Sequence, residues 1–546
     1  MASKIFEQLL KARGLEDVAA RKTFLSPSYE ALRHDPFLLP DMTPAVERLI
    51  QAKAKDELVY IYGDYDIDGL TATTLLLDAF ASFGIRTDAF IPNRFIDGYG
   101  LSPDAMRKLA AKGAQLIVTV DCGSLSHAEI ALANQLGMDV IVTDHHNVAK
   151  TMPSSVATIN PKRSDHAYPF IDLAGVGVAF KLVQALQQKL DGLPLGHEKW
   201  LLDLVALGTV CDVVTLVDEN RANVFWGLQV LGKTRRPGIK ALAAVAGLEM
   251  DQLNARSLGF VLGPHLNASG RLETAQLSLD LLTTTDPLKA LEIAYQLHDM
   301  NLARRAEQDR IAKEATQLAQ QFVDDPVLVL SHPTWSHGII GIVAAKMLER
   351  FRKPTFVLQE MGLESKGSAR SFGDFSAADG INAVEKWLTK GGGHKLAAGI
   401  TLPTEHIPHF RQAINDFYRG LNLQDQHKHF KAKADVMIET CSQLTRELIE
   451  ELKQLEPYGH GNPEPIFCLQ SMLVKERRTM GAEGQHLKLQ LADREGQKFA
   501  VVGFNQSAQV TTSVGDVVDV WVHVIENEWR GNRTIEGRLL EVKANK

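Results

Sequence analysis

A chain of 546 residues is too long for one hydrophobic core, and at about 100–200 residues per domain it predicts three or four domains. With 45% hydrophobic and 23% charged residues it has an ordinary globular composition, and no apolar run approaches the roughly 20 residues of a membrane-spanning helix. Lys plus Arg number 59 against 66 Asp plus Glu, a formal charge of −7, which excludes a uniformly basic nucleic-acid binder and confines any polyanion site to a local patch.

Met1 to Gly14 sets Lys4, Glu7, Lys11 and Arg13 around a short apolar stretch, the pattern of an amphipathic helix and not of a secretory signal. The chain is therefore expected to stay in the cytoplasm. Leu58 to Gly63 is an apolar run of β-formers, read as a buried parallel strand, and it ends in Asp64-Tyr65-Asp66-Ile67-Asp68-Gly69. After it, LTATTLLLDAFASF has helical spacing up to a predicted C-cap at Gly84. The same grammar returns at Leu116–Val120, which leads into Asp121-Cys122-Gly123 and a helix near His127 to Gly137, and at Val140–Thr143, which leads into Asp144-His145-His146. Alternating strands and helices predict an α/β doubly wound parallel sheet, whose ligand crevice lies beyond the carboxyl ends of its strands, where all three clusters fall.

Trp200 to Val214 reads as one largely buried helix with Asp212 near its carboxyl end, and Asp286 to Phe322 as a long helical stretch, free of proline after Pro287, that forms a strut between domains. A second α/β unit is expected from Pro326 to about Leu423, with a glycine-rich turn at Gly391-Gly392-Gly393-His394. From about Pro463 the sequence alternates between short β-like segments and turns, which predicts a small β-barrel. Cys122, Cys211, Cys441 and Cys468 form no C-x-x-C pair, so neither a disulfide framework nor a zinc knuckle is encoded.

The chemistry lies in the acidic clusters. Asp64, Asp66 and Asp68 alternate along an extended turn, and alone they would read equally well as helix-capping aspartates on a solvated turn. A calcium loop of the EF-hand type would need Glu at its twelfth position, which is Leu75 counted from Asp64 or Leu77 counted from Asp66. Together with Asp121, the Asp144-His145-His146 triplet and Asp212, however, the turn supplies several carboxylates and an imidazole to one crevice. That is enough for two hard divalent ions sharing ligands, and mixed oxygen and nitrogen donors suit Mn2+ somewhat better than Mg2+. Two other patterns are set aside. Gly175-Val176-Gly177 lacks the third glycine of a dinucleotide fingerprint, Phe180 standing there, and reads as a helix entry; Gly393-His394-Lys395 has neither the spacing nor the Ser/Thr of a Walker A loop.

Asp64 to Gly69, Asp121, Asp144-His145-His146 and Asp212 resemble the successive motifs of the DHH phosphoesterases. Ser336 to Ala344, Gly367 to Ser371 and Gly391 to His394 resemble the companion DHH-associated domain, and Asn267-Ala268-Ser269-Gly270-Arg271-Leu272 resembles the motif that the RecJ exonucleases carry between the two. The likeness runs from about residue 45 to the end. It implies that Asp66, Asp68, Asp121, His145 and Asp212 are metal ligands with Asp64 beside them, and that His146 faces the scissile phosphate, Asp68, Asp121 and His146 being the catalytic set. Pyrophosphatase relatives carry a histidine where this chain has Tyr62, which disfavours that activity. Arg94 and Tyr99, then Asn267, Arg271, Arg370 and Ser371, are expected to grip substrate phosphates, the arginines through their bidentate guanidinium groups, and His394 to contact the substrate backbone, although it reads almost equally well as a structural histidine.

In the tail, Lys475, Arg477, Arg478, Lys488, Arg530 and Arg533 interleave with Phe504, Trp521 and Trp529, the ingredients of an oligonucleotide-binding barrel, although Trp521 on its alternating strand reads as core. The expected layout is a helical segment at 1–45, a DHH domain at 46–230, a helical connector at 231–323, a DHH-associated domain at 324–425, a linker at 426–462 and an OB-like barrel at 463–546. The RecJ likeness implies a 5′ to 3′ exonuclease on single-stranded DNA, releasing nucleoside 5′-monophosphates with two Mn2+ or Mg2+ ions in recombination and repair. It also implies a monomer partnered by a single-strand-binding protein and a RecQ-type helicase. The rivals are a small-oligonucleotide or cyclic-dinucleotide phosphodiesterase, which needs neither barrel nor the Asn267–Leu272 motif, and a replication scaffold in which the ligands have decayed; here they look intact.

Overall fold

Val59–Gly63 (β1), Thr87–Phe90 (β2), Leu116–Val120 (β3), Asp139–Thr143 (β4) and Ala157–Ile159 (β5) form an all-parallel sheet in the order β2-β1-β3-β4-β5. This computed structural model describes residues 3–544 except 99, 424–430 and 530. Every residue of β1 and β3 is buried, as continuous apolar runs in a sheet covered on both faces should be. The strand order reverses between β1 and β3, and at such a switch point the connections leave in opposite directions and open a crevice. The helix Ile67–Phe83 follows β1 and is closed by Gly84 in the left-handed conformation, φ 70°.

Two compact units divide the chain: residues 1–263, 278–291 and 432–546 form one, and 264–277 with 292–431 form the other. The division falls inside the 33-residue helix Pro287–Ala319. In the second unit Leu328–His332 (β6), Thr355–Met361 (β7), Glu364–Arg370 (β8), Lys390–Gly393 (β9) and Ala397–Pro403 (β10) make a mixed sheet in the order β6-β7-β8-β10-β9. The glycines expected to turn are instead an edge strand: Gly391, Gly392 and Gly393 pair with Ile400, Gly399 and Ala398. A Cβ on Gly393 would stand 2.5 Å from the Ala398 Cα, so the close pairing itself requires glycine. Likewise Trp200–Val214 is not one helix, since a 3-10 turn at His197–Leu201 precedes the α-helix Leu202–Cys211, which Asp212 caps.

The first unit ends in a closed barrel. Phe467–Met480 (β12), His486–Ala492 (β13), Lys498–Gly503 (β14), Asn532–Ala544 (β16) and Val517–Trp529 (β15) pair in that order, and β15 returns to β12; Val436–Ile438 (β11) adds in parallel to β12. On β15 the core face belongs to Val518, Val520, Val522 and Val524, so with a period of two Trp521 falls on the other face and is half-buried, not core. The amino-terminal helix Lys4–Ala12 buries Ile5, Phe6, Leu9 and Leu10 in the same hydrophobic cluster as the barrel strands. Among the described residues no helix is long and apolar enough to cross a membrane.

Candidate metal centre

The turn after β1 is held by its own side chains. Asp66 caps the Ile67–Phe83 helix, its Oδ1 accepting from the N–H groups of Asp68 (3.0 Å) and Gly69 (3.3 Å). The backbone folds back so tightly that a Cβ on Gly69 would lie 2.5 Å from the Asp64 carbonyl oxygen. Asp64 and Asp68 are buried as a result. The Asp68 carboxylate is seated on the amino terminus of the helix Gly175–Gln187, accepting from Gly175 N (2.6 Å) and Val176 N (2.8 Å). A Cβ on Gly175 would come within 2.7 Å of the Asp121 Cβ and 2.9 Å of Asp68 Oδ2. Gly175 is thus a helix entry, as read from sequence, and also the floor of the acidic cluster. The signal was present, because a glycine opening a helix offers bare N–H groups to an anion.

Three strand ends and the cap of a buried helix converge here. His145 Nε2 lies 3.0 Å from Asp121 Oδ1, 3.6 Å from Asp212 Oδ2 and 3.7 Å from Asp68 Oδ2. Ligand-type atoms of Asp64, Asp66 and Asp121 lie within 4.8 Å of one another, and so do those of Asp68, His145 and Asp212, two triads that share no residue. Asp64 Oδ1, Asp121 Oδ1 and His145 Nε2 are buried without a hydrogen bond of acceptable geometry, even across the 3.0 Å contact. Polar atoms so placed are costly unless something else coordinates them, and carboxylate oxygens with one imidazole are the donor set of a hard divalent ion. The residues present therefore fit a pair of such ions.

Electrostatics say the same. Burial, then the charge of Asp66, pushes the Asp68 carboxyl up to about 7. Burial, then Asp68, takes Asp212 to about 9, and burial with neighbouring carboxylates holds Asp64 and Asp121 well above the ordinary range. Burial, then His146, lowers His145 to about 3, leaving it neutral and able to coordinate.

Asp144 plays a different part. Its Oδ1 bonds His146 Nδ1 (2.9 Å) and accepts from His145 N (2.7 Å), while Oδ2 accepts from Ser124 N (2.9 Å). Burial opposes its ionisation, yet His146 keeps it well below the usual carboxylate range. Burial alone would lower His146, but Asp144, Asp64 and Asp66 leave it raised. Asn160, which sequence reading passed over, donates to the His146 carbonyl (2.9 Å) and to Ser124 Oγ (2.8 Å), tying the loop after β5 to the His145-His146 turn.

The expected grip residues divide between the units. Arg94 belongs with the acidic cluster: its guanidinium stacks 4.2 Å over the Tyr65 ring and its charge acts on Asp64. Tyr99 lies outside the described residues. Asn267, Arg271, Arg370, Ser371 and His394 are in the second unit. There Arg271 donates to the Gly338 carbonyl (3.1 Å), and Arg370 lies against Gly341 in the first turn of the helix Ile340–Phe351, so the two arginines flank the entry to that helix. Arg370 donates to Ser368 Oγ (3.2 Å), whereas Ser371 is buried and spends its hydroxyl on the Phe375 carbonyl (2.7 Å). The serine beside Arg370 is therefore Ser368, on the same face of β8 two residues away. His394 follows β9, its N–H bonding Ala397, which pairs with Arg370.

On the barrel, Arg478 and Lys488 stand opposite each other and Phe504 is exposed, while Arg477 is spent on the Ser507 and Val510 carbonyls and Arg533 on Glu528. Arg530 and the Trp529 side chain lie outside the described residues.

Residues 58–209 match the model of the DHH family N-terminal domain, and 324–420 match the DHHA1 domain, which makes this an enzyme fold of the DHH class. Residues 435–541 match the RecJ OB domain. The single-stranded-DNA-specific exonuclease RecJ of Dickeya dadantii is 38% identical over 528 residues, covering 91% of this chain and 90% of that protein. The RecJ of Bacillus subtilis is 35% identical over 530 residues, covering 96% of this chain and 66% of its own length. The crystal structure of Thermus thermophilus RecJ in complex with Mn2+ superposes with a TM-score of 0.85 at 29% identity, over 99% of this chain and 76% of that one. The chain belongs to the RecJ family.

Proposed function

We propose that the chain is a metal-dependent exonuclease that degrades single-stranded DNA from its 5′ end and releases nucleoside 5′-monophosphates. The observation that carries this is the pair of triads, Asp64, Asp66 and Asp121 beside Asp68, His145 and Asp212, largely buried, with atoms of Asp64, Asp121 and His145 lacking a hydrogen bond of acceptable geometry. Those residues would hold two divalent ions, Mn2+ or Mg2+, a choice supported by the crystal structures of Thermus thermophilus RecJ in complex with Mn2+ and with Mg2+. When bound, such ions supply Lewis-acid polarisation of the phosphoryl group and lower the pKa of water.

The chain's own residues do the rest. His146, its pKa raised and its ring fixed through Nδ1 by Asp144, stabilises charge on the phosphate or leaving oxygen. Asp68, held by two backbone N–H groups, keeps its carboxylate oriented toward Asp121 and His145. In the first unit Arg94 and Tyr99 bind strand phosphates; in the second, Arg370 with a serine beside it binds the terminal phosphate, and Arg271, Asn267 and His394 the adjoining backbone. The barrel holds the trailing strand through Arg478, Lys488 and Phe504.

End-labelled single strands, duplexes and dinucleotides test this together. A 5′-labelled single strand should release its label first and as a mononucleotide in Mn2+, while blunt duplex resists. Label appearing first from 3′-labelled strands, or dinucleotides cut while long strands resist, would overturn the reading.

A further inference from the structure

Arg221 is 2% exposed, and among the described residues no carboxylate pairs with it; the titratable neighbours it feels are Arg13 and the Tyr458 hydroxyl. It rises from the helix Asp218–Leu231, a few residues after Asp212, and spends its guanidinium on backbone carbonyls. Nη2 donates to Leu455 (3.2 Å) and Glu456 (2.9 Å), Nη1 to Pro457 (3.4 Å) and Nε to Phe24 (2.9 Å), whose ring also lies 3.8 Å from Cζ. The three consecutive carbonyls belong to the segment that leads into the barrel at β12. Arg13, from the amino-terminal end of the chain, closes the same segment from its other side by donating to Asn462 Oδ1 and to the Pro463 carbonyl (2.6 Å). Asn462 in turn donates to the Leu455 and Pro457 carbonyls, both at 2.8 Å.

This braced segment touches the metal domain just beyond a proposed ligand. Leu216 N donates to the His460 carbonyl (2.7 Å), and Cβ atoms at Gly459 and Gly461 would meet Leu216 at 2.6 Å and Thr215 at 3.3 Å. Beside it opens a cleft of about 1270 Å³, lined by Val213 beside the proposed ligand Asp212, Arg256 and Phe260 of the connector, Arg538 of the barrel, and Glu456 and Tyr458 of the segment itself.

We infer that Leu455–Pro463 is a rigid joint, keyed by Arg221 and Arg13, that fixes the barrel against the metal domain and so sets the cleft through which a held strand reaches the metal centre. Arg221 is a positioning residue: it touches neither the proposed ions nor the strand. The inference rests on the barrel holding the strand, as proposed above. A carbonyl-satisfied guanidinium is a directional fastener, since its rigid planar fork fixes the directions of several acceptors at once, whereas an ammonium presents fewer, freely rotating donors. A fixed joint raises the effective concentration of the barrel-bound strand at the metal centre, and a loose one dilutes it without touching the chemistry.

The test uses the full chain with Arg221→Met and, because a buried site can unfold, Arg13→Gln as a second variant at the half-buried side. In either folded variant the processive run on long strands is expected to shorten about tenfold and KM for them to rise, with kcat on dinucleotides unchanged. Arg221→Lys should fall between. Spin labels at Ala128 and Glu495 give a readout independent of activity, and their distance distribution should broaden. A Thr215→Cys with Gly461→Cys crosslink in the Arg221→Met background should restore processivity when oxidised and lose it when reduced. Wild-type processivity with an unchanged label distribution in both folded variants would overturn the joint, and so would a parallel loss on dinucleotides. Broadened distances in a chain that never degrades long strands would keep the joint and sink the proposed function instead.

Discussion

The metal crevice and the Arg221 joint lie in one unit and both bury charge, but they settle it in opposite ways. The crevice gathers five aspartates and His145 and leaves atoms of Asp64, Asp121 and His145 without a hydrogen bond of acceptable geometry. The joint buries a lone guanidinium and satisfies it with four carbonyl oxygens from chain segments far apart in sequence. Buried charge left open points outward, to something that must bind; buried charge closed by backbone is a fastener. The contrast can be broken by showing that the crevice works without its open charge, or that the joint is indifferent to its closed one.

The largest effect is expected at Asp121. Asp121→Asn removes the charge of the carboxylate nearest His145, 3.0 Å away, and losing several kcal/mol of metal-assisted stabilisation lowers turnover on the order of 10³ or more. Binding of a long single strand should change little, because the barrel is untouched. Turnover near wild type at saturating Mn2+, measured by mononucleotide release, would remove the crevice from the chemistry.

Next comes the floor. Gly175→Ala forces a methyl group against Asp121 and Asp68, and disturbing the groups that orient ligands costs about 10–100-fold in metal affinity or activity. Gly177→Ala is the matched control, since a Cβ there meets only Leu173 at 3.4 Å, an ordinary contact. Equal activities for the two variants, with Mn2+ titrated, would show that the close approach at Gly175 is irrelevant.

The open charge also sets a pH dependence. Asp68 and Asp212 are raised in the folded, metal-free chain to about 7 and about 9, so folding is favoured while they are protonated. That contribution is complete below about pH 4, where the unfolded carboxyls are protonated too, and is lost as pH rises through the folded values. Chelator-stripped protein should therefore melt progressively lower between about pH 5 and 9, at roughly 2–4 °C per kcal/mol, while Mn2+-loaded protein does not. A gap between the two melting curves that stays constant with pH would contradict the charge deficit.

Much of this was legible in the sequence, for physical reasons. An apolar strand followed at once by Asp is a local pattern, and its recurrence at Gly63, Val120 and Thr143 forced the clusters to one edge of a parallel sheet. The barrel showed in the alternation of its strands, and the same alternation assigned Trp521 wrongly until the valines of β15 claimed the core face. The joint left no such trace, because a single arginine bonded to backbone carbonyls has no side-chain partner whose spacing could reveal it. The amino-terminal helix announced an apolar face but not that the barrel covers it. Gly391 to Gly393 suggested a turn by composition, whereas the tertiary pairing with β10 made them a strand.

The smallest effect separates two serines that sequence reading could not. If Arg370 binds a terminal 5′-phosphate, the ratio of kcat/KM for 5′-phosphorylated over 5′-hydroxyl strands measures that grip, and Arg370→Ala should bring it to one. Burial lowers the Arg370 guanidinium, and its donors go to Ser368 Oγ and the Ala369 carbonyl, so an anion would be a better partner than any it has. Ser368 orients that fork and can share in the phosphate, and Ser368→Ala should lower the ratio about fivefold, the worth of one hydrogen bond near 1 kcal/mol. Ser371→Ala should leave the ratio alone, because its hydroxyl is already spent on Phe375, and should instead cost about 1 kcal/mol of stability for the orphaned carbonyl. Should Ser371→Ala shift the ratio while Ser368→Ala does not, the hydroxyl bound to Phe375 must break free in the complex, and the geometry of β8 would have to be read the other way round.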